Sequence, residues 1–566
     1  MFKPASSPAQ FDILVFGAGP AGMAAALTAA SMGHDVLLCE KSSQVGGTAA
    51  TSAGTVWIPE NNQNIRSGFT SDTKEAARQY LEGLLNEPAH GQSVREQFLE
   101  HGPAVIDWFE NNTEVKFIPC GVYPDYLDAK GAATSGRAII PEPFDGRLLG
   151  EHFFRVRAPI SEFMIFNGMM VGKADIPHLV NRFKSLSHFI HAGQLFLRYL
   201  IDRIRYPRGT RLMLGNALVA RLYYSLIAKK TSFLFETKLD ELIFKNNRVV
   251  GAQVINGTEK IQLFARKGVI IATGGFGHNK QLRESFMTPT VPLSMAVPEN
   301  MGEGIVAAQK IGALVRPHIH GTGAFWTPVS KTGSNQWAGL FPHLALDRAK
   351  PGLIAVNGEG KRFVNEADSY HHFVLAMLKT NHSKPTAPVW LICDAAFIYK
   401  YGLGAIHPGT SKLNPFVKKN WLVVANTLKD LALAIDVPAS TLEGTVELHN
   451  QFAVTGIDLD FAKGSTQLNQ YNGDPSHKPN PCIGPIVGKP YCAMAVWPAE
   501  LGTSTGLEAD QHGRVLNQQE IPIDGLYVCG NDMSSIMRGT YPGPGTTLGP
   551  ALVFGHLAAM HAVLKA

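Results

Sequence analysis

Phe11-Asp12-Ile13-Leu14-Val15-Phe16-Gly17-Ala18-Gly19-Pro20-Ala21-Gly22 is the stretch from which the fold of this chain can be read. Residues 11–16 form a short, β-rich apolar run that breaks at Gly17, and the alanine-rich residues 21–31 carry a helical composition. Residues 35–39 form a second apolar run that closes on an acid, Glu40. Together these pieces make a βαβ unit. Its three glycines allow a tight turn, close approach of the backbone to a pyrophosphate and close helix–strand packing, while the helix N-terminus favours negative charge. Glu40 then stands where a carboxylate accepts hydrogen bonds from a ribose, so the unit reads as a dinucleotide site.

Further out, residues 233–244 and 249–255 flank Asn246-Asn247 and read as strand, turn and strand. Residues 268–272 form another buried strand ahead of Thr273-Gly274-Gly275. Near the C-terminus, residues 525–529 read as a strand, Gly530-Asn531 as a turn and 547–564 as a helix. Between them, about 297 to 487, lie loops, scattered glycines and prolines, and polar stretches. The expected architecture is an α/β, glutathione-reductase-like (Rossmann-type) nucleotide domain from residues 1–296 and 488–566, with an inserted α+β cap at 297–487.

Composition agrees with a large folded protein. The 566 residues are 45% hydrophobic and 17% charged, enough to bury the cores of two domains. A formal net charge of +5, from 51 basic and 46 acidic residues, leaves no nucleic-acid footprint. Cys39, Cys120, Cys393, Cys482, Cys492 and Cys529 lack close C-x-x-C pairs and read as reduced, buried thiols. The first residues carry no apolar export segment, and no window offers ~20 uninterrupted apolar residues, so a cytoplasmic chain without a spanning helix is expected. His318, His320, His371 and His372 lack the ligand spacing of a closed metal site, and no metal is expected.

Lys41-Ser42, Gly46-Gly47-Thr48 and Ser52-Ala53-Gly54 follow the acid. They resemble the segment that flavoproteins of the fumarate reductase and ketosteroid dehydrogenase group wrap along FAD. Ala272-Thr273-Gly274-Gly275-Phe276 resembles their second FAD-contact strand. The resemblance implies FAD as cofactor, held by these residues with Gly530, Asn531, Gly545 and Leu548. Positions 41–54 contain no histidine, so the attachment is expected to be non-covalent.

Gly539-Thr540-Tyr541-Pro542-Gly543-Pro544-Gly545-Thr546-Thr547-Leu548-Gly549-Pro550-Ala551 forbids regular structure until Thr547. Tyr541 and the Gly545 amide can then converge at the start of the last helix, as an oxyanion hole requires. The same residues also fit a Pro/Gly helix cap with a packing tyrosine. With Gly530-Asn531 and the first glycine motif, the run resembles the 3-ketosteroid Δ1-dehydrogenases over most of the chain. That family implies that Tyr541 and Gly545 hold a steroid C3 carbonyl and promote its enolisation. A cap tyrosine near Gly360-Lys361-Arg362-Phe363-Val364-Asn365-Glu366, here Tyr370, takes the C2 proton, and hydride passes from C1 to the flavin. Tyr126 in Pro124-Asp125-Tyr126 is the supporting tyrosine, with Tyr123 its competitor.

Fumarate reductases place an arginine where Tyr370 stands, which weakens dicarboxylate reduction as a reading. A Δ4-(5α)-ketosteroid dehydrogenase, an enoate reductase and a flavin-based redox sensor complete the alternatives. Turnover in steroid catabolism requires an electron acceptor, quinone-like or O2. Residues 188–230, rich in arginine and apolar residues, read either as an amphipathic surface resting on a membrane or as a packing helix.

Overall fold

The computed structural model describes residues 9–69, 72–85, 89, 91–161, 164–166, 168–172, 174–318, 321–333, 339–345 and 347–565. His320 lies outside them.

The strands Ser232–Leu234, Val36–Cys39, Ala9–Phe16, Glu259–Ile271 and Pro522–Val528 pair in that order, all parallel. Their centres are apolar on both faces, as a sheet covered on both sides demands; every residue of Val36–Cys39 is buried. One layer of cover is the helix Pro20–Ser31, which opens with Pro20 in its first turn and lies against the C-terminal helix Leu548–Leu564. A Cβ at Gly555 would stand 2.5 Å from the Ala21 carbonyl oxygen, so glycine permits this close crossing.

The hairpin expected around Asn246-Asn247 joins Thr237–Lys245 to Arg248–Asn256, antiparallel. Both asparagines take left-handed conformations, φ +49° and +58°, as a tight hairpin turn requires. The single strand read at 233–244 is in fact two. Glu236 turns the chain with φ +56°, sending Ser232–Leu234 into the parallel sheet and Thr237–Lys245 into the hairpin.

A second sheet runs Leu340–Pro342, Ala324–Lys331, Tyr491–Thr503, Val389–Asp394, Ile354–Val356. Leu293–Ser294 and Val423–Ala425 also pair with Tyr491–Thr503. The sheet thus reaches beyond residues 297 and 487, because Tyr491–Thr503 is one long strand with partners on both edges. Residues 188–230 divide in two: the helix Leu186–Arg205 is largely exposed, whereas Leu214–Ala228 is buried against the glycine-rich turn at 47–51. Among the described residues no helix is long and apolar enough to cross a membrane.

Candidate active site

The parallel strands end in register: Phe16 opposite Cys39 and Ile271, and Ile271 opposite Val528. Residues just beyond the strand ends, Gly17, Glu40, Ala272 and Gly530 among them, line one cavity. Ligands bind at such carboxyl ends in open α/β sheets. Gly17 has φ +106°, and a Cβ there would fall 2.1 Å from the Ala272 carbonyl oxygen. Gly19 would meet nothing within 4 Å, so its backbone faces open space across which a pyrophosphate can approach. Glu40 is held by the Ala18 N–H at 2.6 Å and the Ser42 N–H at 2.8 Å. Burial raises its pKa, and these two donors oppose that rise.

Pro20, Ala21, Lys41, Gly46, Gly47, Thr48, Ser52, Ala53, Gly54, Thr273, Gly274, Asn531, Gly545 and Leu548 also line the cavity. Ala18, Gly22 and Ser42 shape it from behind: Ala18 and Ser42 fix Glu40, and Gly22 lets the helix start directly on Gly17. The cradle therefore fits FAD.

Sequence reasoning missed several cavity residues and their supports. Buried Asp532 accepts from Thr273 Oγ1 at 3.0 Å, Gly274 N at 3.0 Å and Gly275 N at 3.2 Å, pinning the second glycine turn. Burial pushes its pKa to about 6 against those donors. Asn300 ties Gly274 O at 2.8 Å to Thr48, while Arg157 pairs with Glu299 at 3.0 Å and Lys41 with Glu303. Nothing in the sequence marks Asn300 or Arg157 as a support, and Asp532, next to Gly530-Asn531, gives no sign that it clamps the turn at 273–275.

At the other end of the cavity Tyr126, Tyr370 and Tyr541 share one buried cluster with Phe325 and Leu468. The Tyr126 and Tyr370 hydroxyls lie 3.4 Å apart, and the Tyr370 and Tyr541 ring centroids 5.4 Å. Tyr123 lines the cavity half-buried and stacks on Tyr471 at 5.2 Å. Tyr126 is the one that packs on both other tyrosines.

Local chemistry sets each position. Asp125 accepts from Trp57 Nε1 at 2.8 Å and pairs with buried Arg137 at 2.6 Å, anchoring the loop that presents Tyr126. The Tyr126 N–H at 2.8 Å and the Tyr80 hydroxyl at 2.7 Å both donate to the Pro542 carbonyl, beside Tyr541. A Cβ at Gly543 would strike Trp57 Nε1 at 2.7 Å, and one at Gly545 the Thr55 carbonyl oxygen at 2.4 Å. The Gly545 carbonyl accepts from Trp57 N at 3.2 Å and Gly549 N at 3.0 Å, yet its own N–H has no acceptor among the described residues. Tyr370 opens the helix Tyr370–Thr380, capped by Ser369. The preceding Arg362-Phe363-Val364-Asn365-Glu366 run serves as its foundation: Arg362 pairs with Glu366 at 2.8 Å and Asp458 at 2.8 Å.

Burial raises the pKa of all three tyrosines. The hydrogen bond from Tyr126 opposes this at Tyr370, and bonds with Tyr370, Thr547 and Thr546 oppose it at Tyr541. A buried cation stands nearby. Arg348 donates to the carbonyls of His343 (2.9 Å), Leu344 (3.0 Å), Glu366 (2.7 Å) and Asp368 (3.1 Å). Burial lowers its pKa to about 10, which leaves it charged at neutral pH, and its field reaches Tyr126. Two donors, Tyr541 O–H and Gly545 N–H, are thus available to a developing oxyanion, with a second phenol beside them to take a proton. Among the described residues no three His, Cys, Asp or Glu side chains converge to hold a metal; His318 bonds the Ser504 carbonyl at 2.8 Å.

The family model described as FAD binding domain matches residues 12–548, and the chain belongs to that family. It is an FAD-dependent oxidoreductase. Within the family it is a relative of the 3-ketosteroid Δ1-dehydrogenases. It is 33% identical to the 3-oxosteroid 1-dehydrogenase of Mycolicibacterium smegmatis over 97% of each chain. It is 36% identical to the 4-oxocyclohex-2-ene-1-carboxylate 5-dehydrogenase of Sinomonas cyclohexanicum, covering 97% of this chain and 92% of that one. The solved 3-ketosteroid delta1-dehydrogenase from Sterolibacterium denitrificans, in complex with 1,4-androstadiene-3,17-dione, superposes with a TM-score of 0.88. It is 34% identical over 98% of this chain and 100% of that chain.

Proposed function

We propose that the protein desaturates the C1–C2 bond of 3-ketosteroids. The observation that carries this reading is the Gly545 N–H, without an acceptor among the described residues, in the loop that also presents Tyr541, whose ring packs on the paired phenols Tyr370 and Tyr126. Tyr541 and Gly545 hold the C3 carbonyl and stabilise the enolate as it forms. Tyr370 takes the C2 proton, and the Tyr126 hydroxyl stabilises the phenolate that does so. The glycine turns, Glu40 and their supports would hold FAD, which would supply the acceptor for the hydride leaving C1. The product is a 1-ene-3-one. FAD is taken to be held without a covalent bond. The unit that covers the substrate is built on the second sheet, from Leu293–Ser294 through Tyr491–Thr503.

A cyclohexanone carboxylate is the competing substrate class, given the similarity to the Sinomonas enzyme. Its carboxylate would need a cation, and the cations lining the cavity, Lys41, Arg157 and Lys238, all stand around Glu40. The tyrosine end is walled by Tyr123, Phe325, Leu344, Leu468 and Leu501, which favours an apolar ring system. The test is anaerobic mixing with androst-4-ene-3,17-dione while following the flavin band near ~450 nm. Bleaching with a 1,4-diene product supports the proposal. Bleaching by 4-oxocyclohex-2-ene-1-carboxylate alone transfers the assignment to the smaller ketone. A C4–C5 product from a 5α-reduced steroid would make the enzyme a Δ4-(5α)-dehydrogenase.

We infer that the enzyme meets its apolar substrate, and a quinone-like acceptor, at an anionic lipid surface. Helix Leu186–Arg205 exposes Phe189, Leu197, Leu200, Ile201 and Ile204, with Phe183 just before it. Arg182, Lys184, Arg203 and Arg205 are exposed beside them. This is the composition of an interfacial helix. The full chain should pellet with anionic vesicles in a salt-sensitive manner, and a protein that stays in the supernatant at low salt removes the inference.

A further inference from the structure

We infer that His371 is a positioning residue for the enolate site, an inference that rests on the assignment of Tyr541 above. Its imidazole is buried and lies nearly parallel to the Tyr541 ring, centroids 5.7 Å apart at 26°. Tyr126 stacks on the same ring at 5.7 Å and 12°. Two near-parallel rings therefore pack on Tyr541, with Phe325 edge-on at 5.1 Å. The Cβ–ring torsion of a tyrosine is intrinsically broad, so this packing fixes the ring plane and with it the plane in which the O–H lies.

A neutral packing ring could do that much; His371 does more. Its Nδ1 accepts the Trp326 N–H at 3.3 Å. With Nδ1 accepting, the proton resides on Nε2. Burial keeps the ring neutral. One side chain thus ties together the helix that begins with Tyr370, the strand Ala324–Lys331 that carries Phe325, and the loop that carries Tyr541 and Gly545. Proton acceptor and oxyanion donors are fixed in a common frame, where displacements near 1 Å cost large factors in rate.

His371→Phe keeps a stacking ring and removes the acceptor for the Trp326 N–H; His371→Asn keeps an acceptor near Nδ1. Three quantities decide: the anaerobic rate of flavin reduction by androst-4-ene-3,17-dione, the ketone's affinity, and the affinity of a steroid with a phenolic ring A, which mimics the enolate. Expected for His371→Phe is retained FAD, reduction slowed roughly 10- to 100-fold, ketone affinity changed by less than about 3-fold, and selective loss of the phenol's advantage. His371→Asn should recover part of both losses. Reduction at the wild-type rate overturns the inference, as does a variant in which ketone and phenol affinities fall together. Should His371→Phe lose FAD, His371→Asn decides by the same readouts. Failure of the wild-type enzyme to bleach would instead reject the assigned substrate, and Tyr541→Phe, measured in parallel, shows whether Tyr541 governs the phenol preference at all.

Discussion

Tyr370 and Tyr541 differ in task although burial acts on both in the same direction. In the proposed reaction Tyr541 donates, for which a raised pKa is harmless. Tyr370 there accepts a proton, for which a raised pKa leaves little phenolate at neutral pH. The rate of flavin reduction should therefore climb with pH through the neutral and alkaline range, because each unit below the raised pKa removes about tenfold of the competent form. A flat profile from about pH 6 to 9 would place the base elsewhere. Tyr370→Phe and Tyr541→Phe should each lose about 100-fold or more in reduction rate while remaining yellow. Loss of flavin from either would mark it as structural. At the cofactor end, Asp532→Asn confronts the Gly274 and Gly275 N–H groups with an amide that can turn only one oxygen toward them. FAD affinity should fall by roughly 10-fold or more, measurable by dilution or by apoprotein titration. The glycine and tyrosine motifs could be read from the sequence because their chemistry is local. Asp532, Asn300, Arg348 and His371 could not, since their importance lies in what other segments bring against them.

Elements divide along the same line. The helix Pro20–Ser31 and the hairpin at Asn246-Asn247 are legible because proline, glycine and asparagine restrict the backbone where they stand. The break at Glu236 is not, because nothing in a glutamate announces a left-handed turn. Nor does composition separate Leu186–Arg205 from Leu214–Ala228, one exposed and one buried; only the neighbours above the second helix do so. The contact between the first and last helices yields a prediction at this scale. Gly555→Ala places a methyl 2.5 Å from the Ala21 carbonyl oxygen and 3.1 Å from the Ala24 methyl. Stability should drop by about 1–3 kcal/mol, with weaker FAD retention, because the first of these helices carries the phosphate turn. Thermal melting with and without added FAD checks both.

The molecule as a whole depends on buried charge under the cap. Glu366 is fully buried between Arg362 at 2.8 Å and Lys463 at 3.3 Å and also accepts the Ala355 N–H at 3.0 Å. Burial raises its pKa, but the two cations and the amide outweigh it and hold the carboxyl well below its ordinary value. Asp347, bonded to His343 at 2.6 Å, is depressed in the same way. A carboxylate with a depressed folded pKa lends stability that is complete above the unfolded value, near 4, and is lost as pH falls below it. The protein should accordingly unfold with acid below about pH 4, and a denaturation midpoint independent of pH from 6 to 3 would contradict this. Glu366→Gln leaves Arg362 and Lys463 under-compensated and should cost about 3–5 kcal/mol, lowering the melting temperature while Tyr370→Phe leaves it nearly unchanged.

The sequence by itself determined the Rossmann-type start and the FAD turns and singled out Tyr370 and Tyr541 as candidates, because each rests on residues adjacent in the chain whose conformational limits are intrinsic. Only the tertiary structure decided that Tyr126, rather than Tyr123, packs against both Tyr370 and Tyr541, and that the Gly545 N–H is left without an acceptor among the described residues. It alone placed the strand Tyr491–Thr503 in the second sheet and His371 against Tyr541. Those outcomes depend on which surfaces distant segments bury against one another, and burial is a property of the assembled chain.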